Sequence, residues 1–358
     1  MKTYLGLFLC ILLLSCSGQL TDNTSSGALE NTSPVVDNTT ASPHDNSHPA
    51  ESAESFTGLS IVSFNIQFLG SFKKRDNAAL ADLLKDHDVV VVQELVAPPV
   101  DGSYPDGEPY SADNESVAFF DAMSRQGFEY MLSPEDTGSG DDIHKNSTST
   151  EWWVAFYKPE RVELALNLPH GFLAEDRSNN PDYERVPFAF PFRNLSGGED
   201  FVLISVHLQP GGSSDDKARR NHELSSIASW IDENDDQEKD FIILGDMNIE
   251  NAEELSASTP AGFISLNDEM RRTNTLINDT STHGAKPYDH VMYRPENTGN
   301  EVDVAFDLIV INLIEAMRPK WTSSDSYPGD PYDHNLFKQY YSDHHPVEFR
   351  MIGIRDDD

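Results

Sequence analysis

Only two cysteines occur in the 358 residues, Cys10 and Cys16, both close to the start of the chain. The remainder therefore carries neither a disulfide framework nor a cysteine-bound metal. Positive charge is also scarce. Lys and Arg number 25 against 61 Asp and Glu, a formal net charge of −36. A field of that sign repels polyanions, so a nucleic-acid enzyme of this composition would need a local basic groove, a metal or screening salt. Most of the acidic charge reads as a solubility feature of an extracytoplasmic protein. No Gly-x-Ser-x-Gly occurs, which removes the nucleophile elbow of a Ser-His-Asp hydrolase. No Gly-x-x-x-x-Gly-Lys-Ser/Thr occurs, which argues against a nucleotide-driven machine. His and Cys form no cluster with closed-site spacing, so zinc is disfavoured. No internal repeat of fixed period is visible.

What is present begins with an export signal. Lys2 precedes an apolar stretch, Tyr4 to Leu14, too short to span a membrane comfortably. Leu13-Leu14-Ser15-Cys16 resembles a bacterial lipobox, which implies cleavage before Cys16 and lipid attachment there. Residues 1–16 are thus expected to be a lipoprotein signal. Residues 17–57 are rich in Asn, Ser, Thr and Pro and cannot bury enough apolar area to offset the entropy of ordering. They read as a tether, and residues 58–352 as the functional domain. The protein is expected to be exported and lipid-anchored on the periplasmic or surface side of a bacterial membrane, with no protein partner.

From residue 59 onward, apolar runs alternate with helical periodicity. Strands are expected over 59–66, 88–95, 151–158, 162–168, 201–208, 288–293 and 306–311, and an edge strand over 181–192, where prolines lack ladder donors; within 341–351 a Ser-Asp-His turn leads into an alternating last strand. Helices are expected over 78–84, 116–126, 215–234 and 312–317. Residues 133–150 and 321–340 read as polar loops. The run Asp240-Phe-Ile-Ile-Leu-Gly-Asp-Met-Asn-Ile249 is a buried strand closing on Gly245. If extension continues past Gly245, Asp246 and Asn248 share one side; otherwise the strand runs into an Asp/Asn turn. A carboxylate beside an amide suits a phosphate ester, since one holds a metal or takes a proton and the other binds a phosphoryl oxygen. Alternation of strands and helices points to a layered α/β arrangement.

Asn65, Glu94, His207, Asp246, Asn248, Asp289, Asp343 and His344 all fall at or just beyond strand ends. Each alone is an ordinary turn or cap residue. Together they supply hard oxygen ligands for a divalent cation, two imidazoles, and spare carboxylates to orient them.

The ordered set Phe64-Asn65, Gln93-Glu94, Ser205-Val-His207-Leu208, Gly245-Asp246-Met247-Asn248, Tyr288-Asp289-His290 and Ser342-Asp343-His344-His345-Pro346-Val347 resembles the endonuclease/exonuclease/phosphatase superfamily, most closely its deoxyribonuclease I-like members. The resemblance implies a four-layer α/β sandwich, two mixed and mostly antiparallel sheets face to face with helices outside. It implies Mg²⁺ at Glu94, with Asn65 and Asp343 beside it; Mn²⁺ and Ca²⁺ are alternatives. It assigns Asp246 and Asn248 to the attacking water and the phosphate, and His207 and His344 to catalysis. Glu151 is implied to orient His207 and Asp289 to orient His344, and Arg185 to contact phosphate.

The resemblance implies a divalent-metal-dependent phosphodiester hydrolase, foremost a deoxyribonuclease I-like endonuclease on nucleic acid. Leu95-Val96 follows Glu94 where nuclease members often carry an arginine. A phosphatase or phosphodiesterase on a small or lipid ester is therefore the alternative, and a non-catalytic surface-binding lipoprotein is the second.

Overall fold

The computed structural model describes residues 58–144, 148–277 and 284–353. The expected signal and tether lie outside the described residues.

The chain opens with β1 (Leu59–Leu69), α1 (Asn77–Leu84) and β2 (Val89–Leu95), then a small hairpin of β3 (Gly102–Ser103) and β4 (Pro109–Tyr110). α2 (Asn114–Arg125), β5 (Glu129–Leu132), β6 (Trp152–Tyr157) and β7 (Val162–Leu164) follow. Next come β8 (Gly171–Phe172), β9 (Phe188–Asn194), β10 (Asp200–His207), α3 (Ser214–Asn234) and β11 (Phe241–Asp246). The chain continues through α4 (Ala252–Ser258), β12 (Ile264–Ser265), β13 (Asp289–Tyr293), α5 (Pro295–Thr298) and β14 (Ile309–Val310). It ends with α6 (Leu313–Met317), α7 (His334–Tyr340) and β15 (Val347–Met351).

Two mixed sheets result. The first runs β14-β15-β1-β2-β6-β5 and the second β12-β13-β11-β10-β9-β7, with β8 also on β9. Among the described residues only β1–β2 and β10–β11 are parallel pairs, each bridged by the helical crossover that a parallel pair requires. The valines of β2 show why its sequence is a continuous apolar run rather than an alternating one. Val89 and Val91 face the second sheet, packing with Trp153, Phe190, Leu203 and Leu244. Val90 and Val92 face outward under α1 and α2, with Leu80 and Phe119. A strand covered on both faces has no polar side, and each buried valine contributes about 1.5–3 kcal/mol. On the outer face of the second sheet, Ile204 and Ile243 pack against Leu224, Ile227 and Ile231 of α3. The layers are therefore helix, sheet, sheet, helix, the α/β sandwich expected.

α3 starts where its sequence says it should. Ser213 accepts from the Asp216 backbone while the Asp216 side chain accepts from the Ser213 backbone, a reciprocal cap. Leu224, Ile227, Ala228 and Ile231 form its buried face, as the periodicity requires.

Three local expectations fail. β9 is interior, not an edge, since β10 lies on one side and β7 and β8 on the other. Pro191 is tolerated because its carbonyl, and hence its nitrogen, faces the outer side, where β7 and β8 leave a gap. The apolar run 306–311 forms strand only at Ile309–Val310, because turns at Asp303 divert the chain just before it. Residues 321–340 are not all loop. Asp333 caps α7, and Phe337 alone on that helix is fully buried, too few apolar positions to leave a period.

Candidate active site

Five strands deliver polar side chains to one end of the sandwich. β1 and β2 stay in parallel register to Asn65 and Gln93, then slip before Leu69 and Leu95. Backbone at Gln67, Phe68 and Glu94 lies in the left-handed region, at φ 56°, 50° and 64°. Such irregularities bend a strand and re-aim its side chains. Here they turn Asn65 and Glu94 toward the second sheet. The Asn65 amide donates to Glu94 (2.8 Å) and to Asp246 (3.0 Å), so it bridges the two sheets. Its own oxygen accepts the Gln67 backbone N–H at 3.0 Å.

β11 ends at Asp246, not beyond it. Asn248 has φ 52°, and its backbone N–H donates to Asp246 Oδ1 at 2.9 Å. The two residues are thus joined by a tight Asx turn instead of sharing a strand face. The Asn248 amide donates to the Leu208 carbonyl at 3.1 Å. Gly245 precedes this turn at φ 141°, and a Cβ there would lie 2.1 Å from the Val206 carbonyl oxygen.

Asp246 Oδ2 is the centre of the cluster. His207 Nε2 and His344 Nε2 each lie 3.6 Å from it. On the far side of each ring stands another carboxylate. Glu151 Oε1 is 2.9 Å from His207 Nδ1, and Asp289 Oδ2 is 2.8 Å from His344 Nδ1. Both rings and all three carboxylates are buried. Burial alone would push both imidazoles down. For His344, Asp289 and Asp246 overcome it and hold the ring well above its usual value. For His207, burial and Arg185 oppose charge, yet Glu151 and Asp246 still raise the pKa. Glu151 is shifted down: burial opposes its charge, but His207, Arg185 and the Glu94 N–H outweigh it. Glu94 is shifted up, by burial first and then by Asp343 and Glu151.

Arg185 sits with Nε 3.1 Å from Glu151 Oε1, while its buried Nη1 has no acceptor. That nitrogen is free to meet a phosphoryl oxygen. Asp343 is held by the Gln67 amide at 2.5 Å. Every residue singled out in the sequence therefore converges here: Asn65, Glu94, Glu151, Arg185, His207, Asp246, Asn248, Asp289, Asp343 and His344.

Gln67 was missed, although Asn65 and Gln67 are two apart at a strand end, the spacing that puts side chains on one side. Its Oε1 is buried and without a partner. Arg75 was also missed. It is wholly buried, hydrogen-bonding the carbonyls of Ile66, Gln67 and Tyr341 and pairing with Glu115 at 2.5 Å. No sequence pattern signals a guanidinium that grips backbone.

Among the described residues, Glu94, His207 and Asp246 each offer a ligand atom, all within 4.8 Å of one another. With Asp343 nearby and the unpartnered side-chain Oε1 of Gln67, the donors are mostly hard oxygens. That set fits a divalent cation such as Mg²⁺.

The sequence profile of the Endonuclease/Exonuclease/phosphatase family matches residues 62–344. The chain belongs to this family. Its members are metal-dependent phosphoester hydrolases, so hydrolysis of phosphate esters is this family member's general chemistry. No curated protein matches the sequence. Solved structures do. A conserved protein of unknown function from Enterococcus faecalis superposes with TM-score 0.51 at 14% identity, covering 82% of this chain and 99% of that one. The human nocturnin catalytic domain with bound sulfate gives 0.50 at 16%, covering 82% and 93%. A mannosyl-6-phosphatase from Bacteroides thetaiotaomicron gives 0.50 at 15%, covering 82% and 99%. At such identities the likeness is one of fold.

Proposed function

We propose that this family member is a divalent-metal-dependent phosphodiesterase whose substrate is nucleic acid, cut in the manner of a deoxyribonuclease I-like endonuclease. The observation that carries the reading is the placement of two carboxylate-backed imidazoles, each 3.6 Å from one oxygen of Asp246. Glu94 and Asp343, with Asn65 beside them, would hold the cation, which supplies charge neutralisation at a phosphoryl oxygen and a lowered pKa for water.

The roles of the side chains follow from their charge. Asp246 is an acceptor between two rings that their partners favour as imidazolium. It therefore aligns the attacking water and draws off its proton. His207 and His344 are donors, one to a non-bridging oxygen as charge builds, the other to the departing oxygen; this contribution is worth roughly 10²–10⁴-fold. Glu151 and Asp289 fix each ring's orientation and support its charge. Arg185 offers its free nitrogen to the phosphate, and Asn248 keeps Asp246 aimed through the turn they share.

Magnesium-dependent nicking of plasmid DNA, abolished by chelator, tests the reading. Running bis(4-nitrophenyl) phosphate and sphingomyelin alongside separates nuclease from small-ester or lipid phosphodiesterase. His207→Ala and His344→Ala should each abolish most activity; hydrolysis near the wild-type rate in either would sink the assignment. The second reading, an enzyme of small or lipid phosphate esters, is favoured by the net charge of −36, which repels long polyanions. Export and lipid attachment at Cys16 belong to the same proposal, and Cys16→Ala should release the protein from the membrane fraction.

A further inference from the structure

In so acidic a chain, lysine is a minority residue, with eleven in all. Three of them line one groove of about 560 Å³. Phe72, Lys73 and Lys74, from the turn after β1, form one wall. Asn335, Lys338 and Gln339, from α7, form the other. Lys73 pairs with Asp113 at 3.1 Å. Among the described residues, neither Lys74 nor Lys338 has a carboxylate partner. Lys74 instead lies over the Tyr340 ring, 5.8 Å from its centroid. Surface lysines in an acidic protein usually find acids, so two unpaired cations in one groove need another explanation.

Position supplies it. Both walls are a few residues along the chain from the site. Gln67, which holds Asp343, lies just before the turn that carries Lys73 and Lys74. Lys338 sits on the helix that leads through Tyr341 to Asp343 and His344. Arg75 locks the two walls together, since its guanidinium bonds Ile66 and Gln67 on one and Tyr341 on the other. The Asp76 backbone N–H adds a bond to the Tyr340 carbonyl at 2.9 Å. The groove is therefore built from the two segments that lead to Asn65 and Gln67 and to Asp343 and His344, tied together by Arg75, and it is cationic with Phe72 in one wall.

We infer that this groove holds the sugar-phosphate backbone of a single-stranded nucleic acid next to the phosphodiester being cut. Lysine ammonium groups neutralise phosphates irrespective of sequence, while aromatic faces accept bases. Amides of Asn335 and Gln339 add donors to phosphate oxygens. The chain's net charge of −36 repels a polyanion, so a cationic strip leading from the site favours one direction in which a strand leaves it. The groove gives the nuclease reading of the site its substrate class, and rests on that reading.

The test is Lys74→Gln/Lys338→Gln against wild type, in magnesium. Binding of a fluorescent phosphorothioate single strand of about twelve nucleotides is followed by anisotropy across salt concentrations. The variant should bind about tenfold more weakly, and the slope of log K against log salt should shrink by about 1.4, two phosphates at about 0.7 each. Its hydrolysis of bis(4-nitrophenyl) phosphate should be unchanged, which also shows that it folds. Equal affinity and slope in the two proteins, or no strand binding by wild type, overturns the groove. Loss of binding to phosphatidylserine vesicles, with no strand binding in either protein, overturns it in favour of a lipid phosphate. A protein that binds the strand through these lysines yet hydrolyses neither strand nor ester keeps the groove and removes the nuclease reading.

Discussion

Asp246 shares one oxygen between two imidazoles, and each imidazole has its own carboxylate behind it. Asp289→Asn keeps the shape of the His344 pair but removes the charge that favours imidazolium. The expected outcome is a fall in kcat of roughly 10²-fold or more, with the cation affinity unchanged. Stopped-assay kinetics beside a metal titration would reveal it, and a loss confined to KM would contradict the role given to Asp289. A neighbouring histidine behaves oppositely. His290 is buried against Ser265 (2.9 Å), and burial pushes it down to about 4 from 6.5. Between those values the unfolded chain binds a proton that the fold refuses. Stability from this residue is complete above pH 6.5 and declines as pH falls toward 4, by about 2 kcal/mol at pH 5. Urea midpoints at pH 7 and pH 5 should diverge less in His290→Asn than in wild type; parallel losses would show that another group controls acid sensitivity.

At the scale of the element, strand ends decide the site more than strand bodies do. β1 and β2 slip register where Asn65 and Glu94 must turn inward, and β11 stops at Asp246 because Gly245 and Asn248 adopt backbone that L side chains rarely take. Gly245→Ala would set a methyl 2.1 Å from the Val206 carbonyl in the centre of the second sheet. The cost should be about 3 kcal/mol, from overpacking plus a left-handed backbone. Gly262→Ala has the positive φ without the clash, so about 1 kcal/mol is expected there. Equal urea midpoints for the two variants would mean that the sheet gives way around Gly245. These bends are where legibility ended. The apolar runs located the strands, since burial on both faces leaves a continuous signal. Asn65, Glu94, His207 and Asp246 could be placed at their ends. The Asx turn at Asn248, the role of Gln67 and the helix α7 were not legible, because each depends on a partner far along the chain or on a single buried ring.

Across the whole molecule, the two sheets meet through polar groups as well as apolar ones. The Gln93 amide donates to Ser205 at 3.1 Å between the sheets, and Asn65 does the same to Asp246 at 3.0 Å. Glu94 belongs to the first sheet, His207 and Asp246 to the second. A cation held by Glu94 and Asp343, beside the Asn65 amide that reaches Asp246 across the seam, binds only the folded chain, so its binding should stabilise the entire sandwich. At a hundredfold excess over Kd the gain is about 2.7 kcal/mol. Thermal melts with magnesium and with chelator should differ accordingly in wild type and coincide in Glu94→Gln. A full magnesium-dependent rise in Glu94→Gln would place the cation elsewhere.

The sequence by itself determined the family, the layered α/β class and the inventory of acids, amides and imidazoles, because period and composition are local properties that burial imprints on neighbouring residues. Tertiary structure alone decided that both imidazoles face one Asp246 oxygen, that Arg75 binds the backbone of the two segments leading to the site, and that scattered lysines meet in one groove. Those facts depend on register between strands distant in the chain, and no local pattern encodes a register.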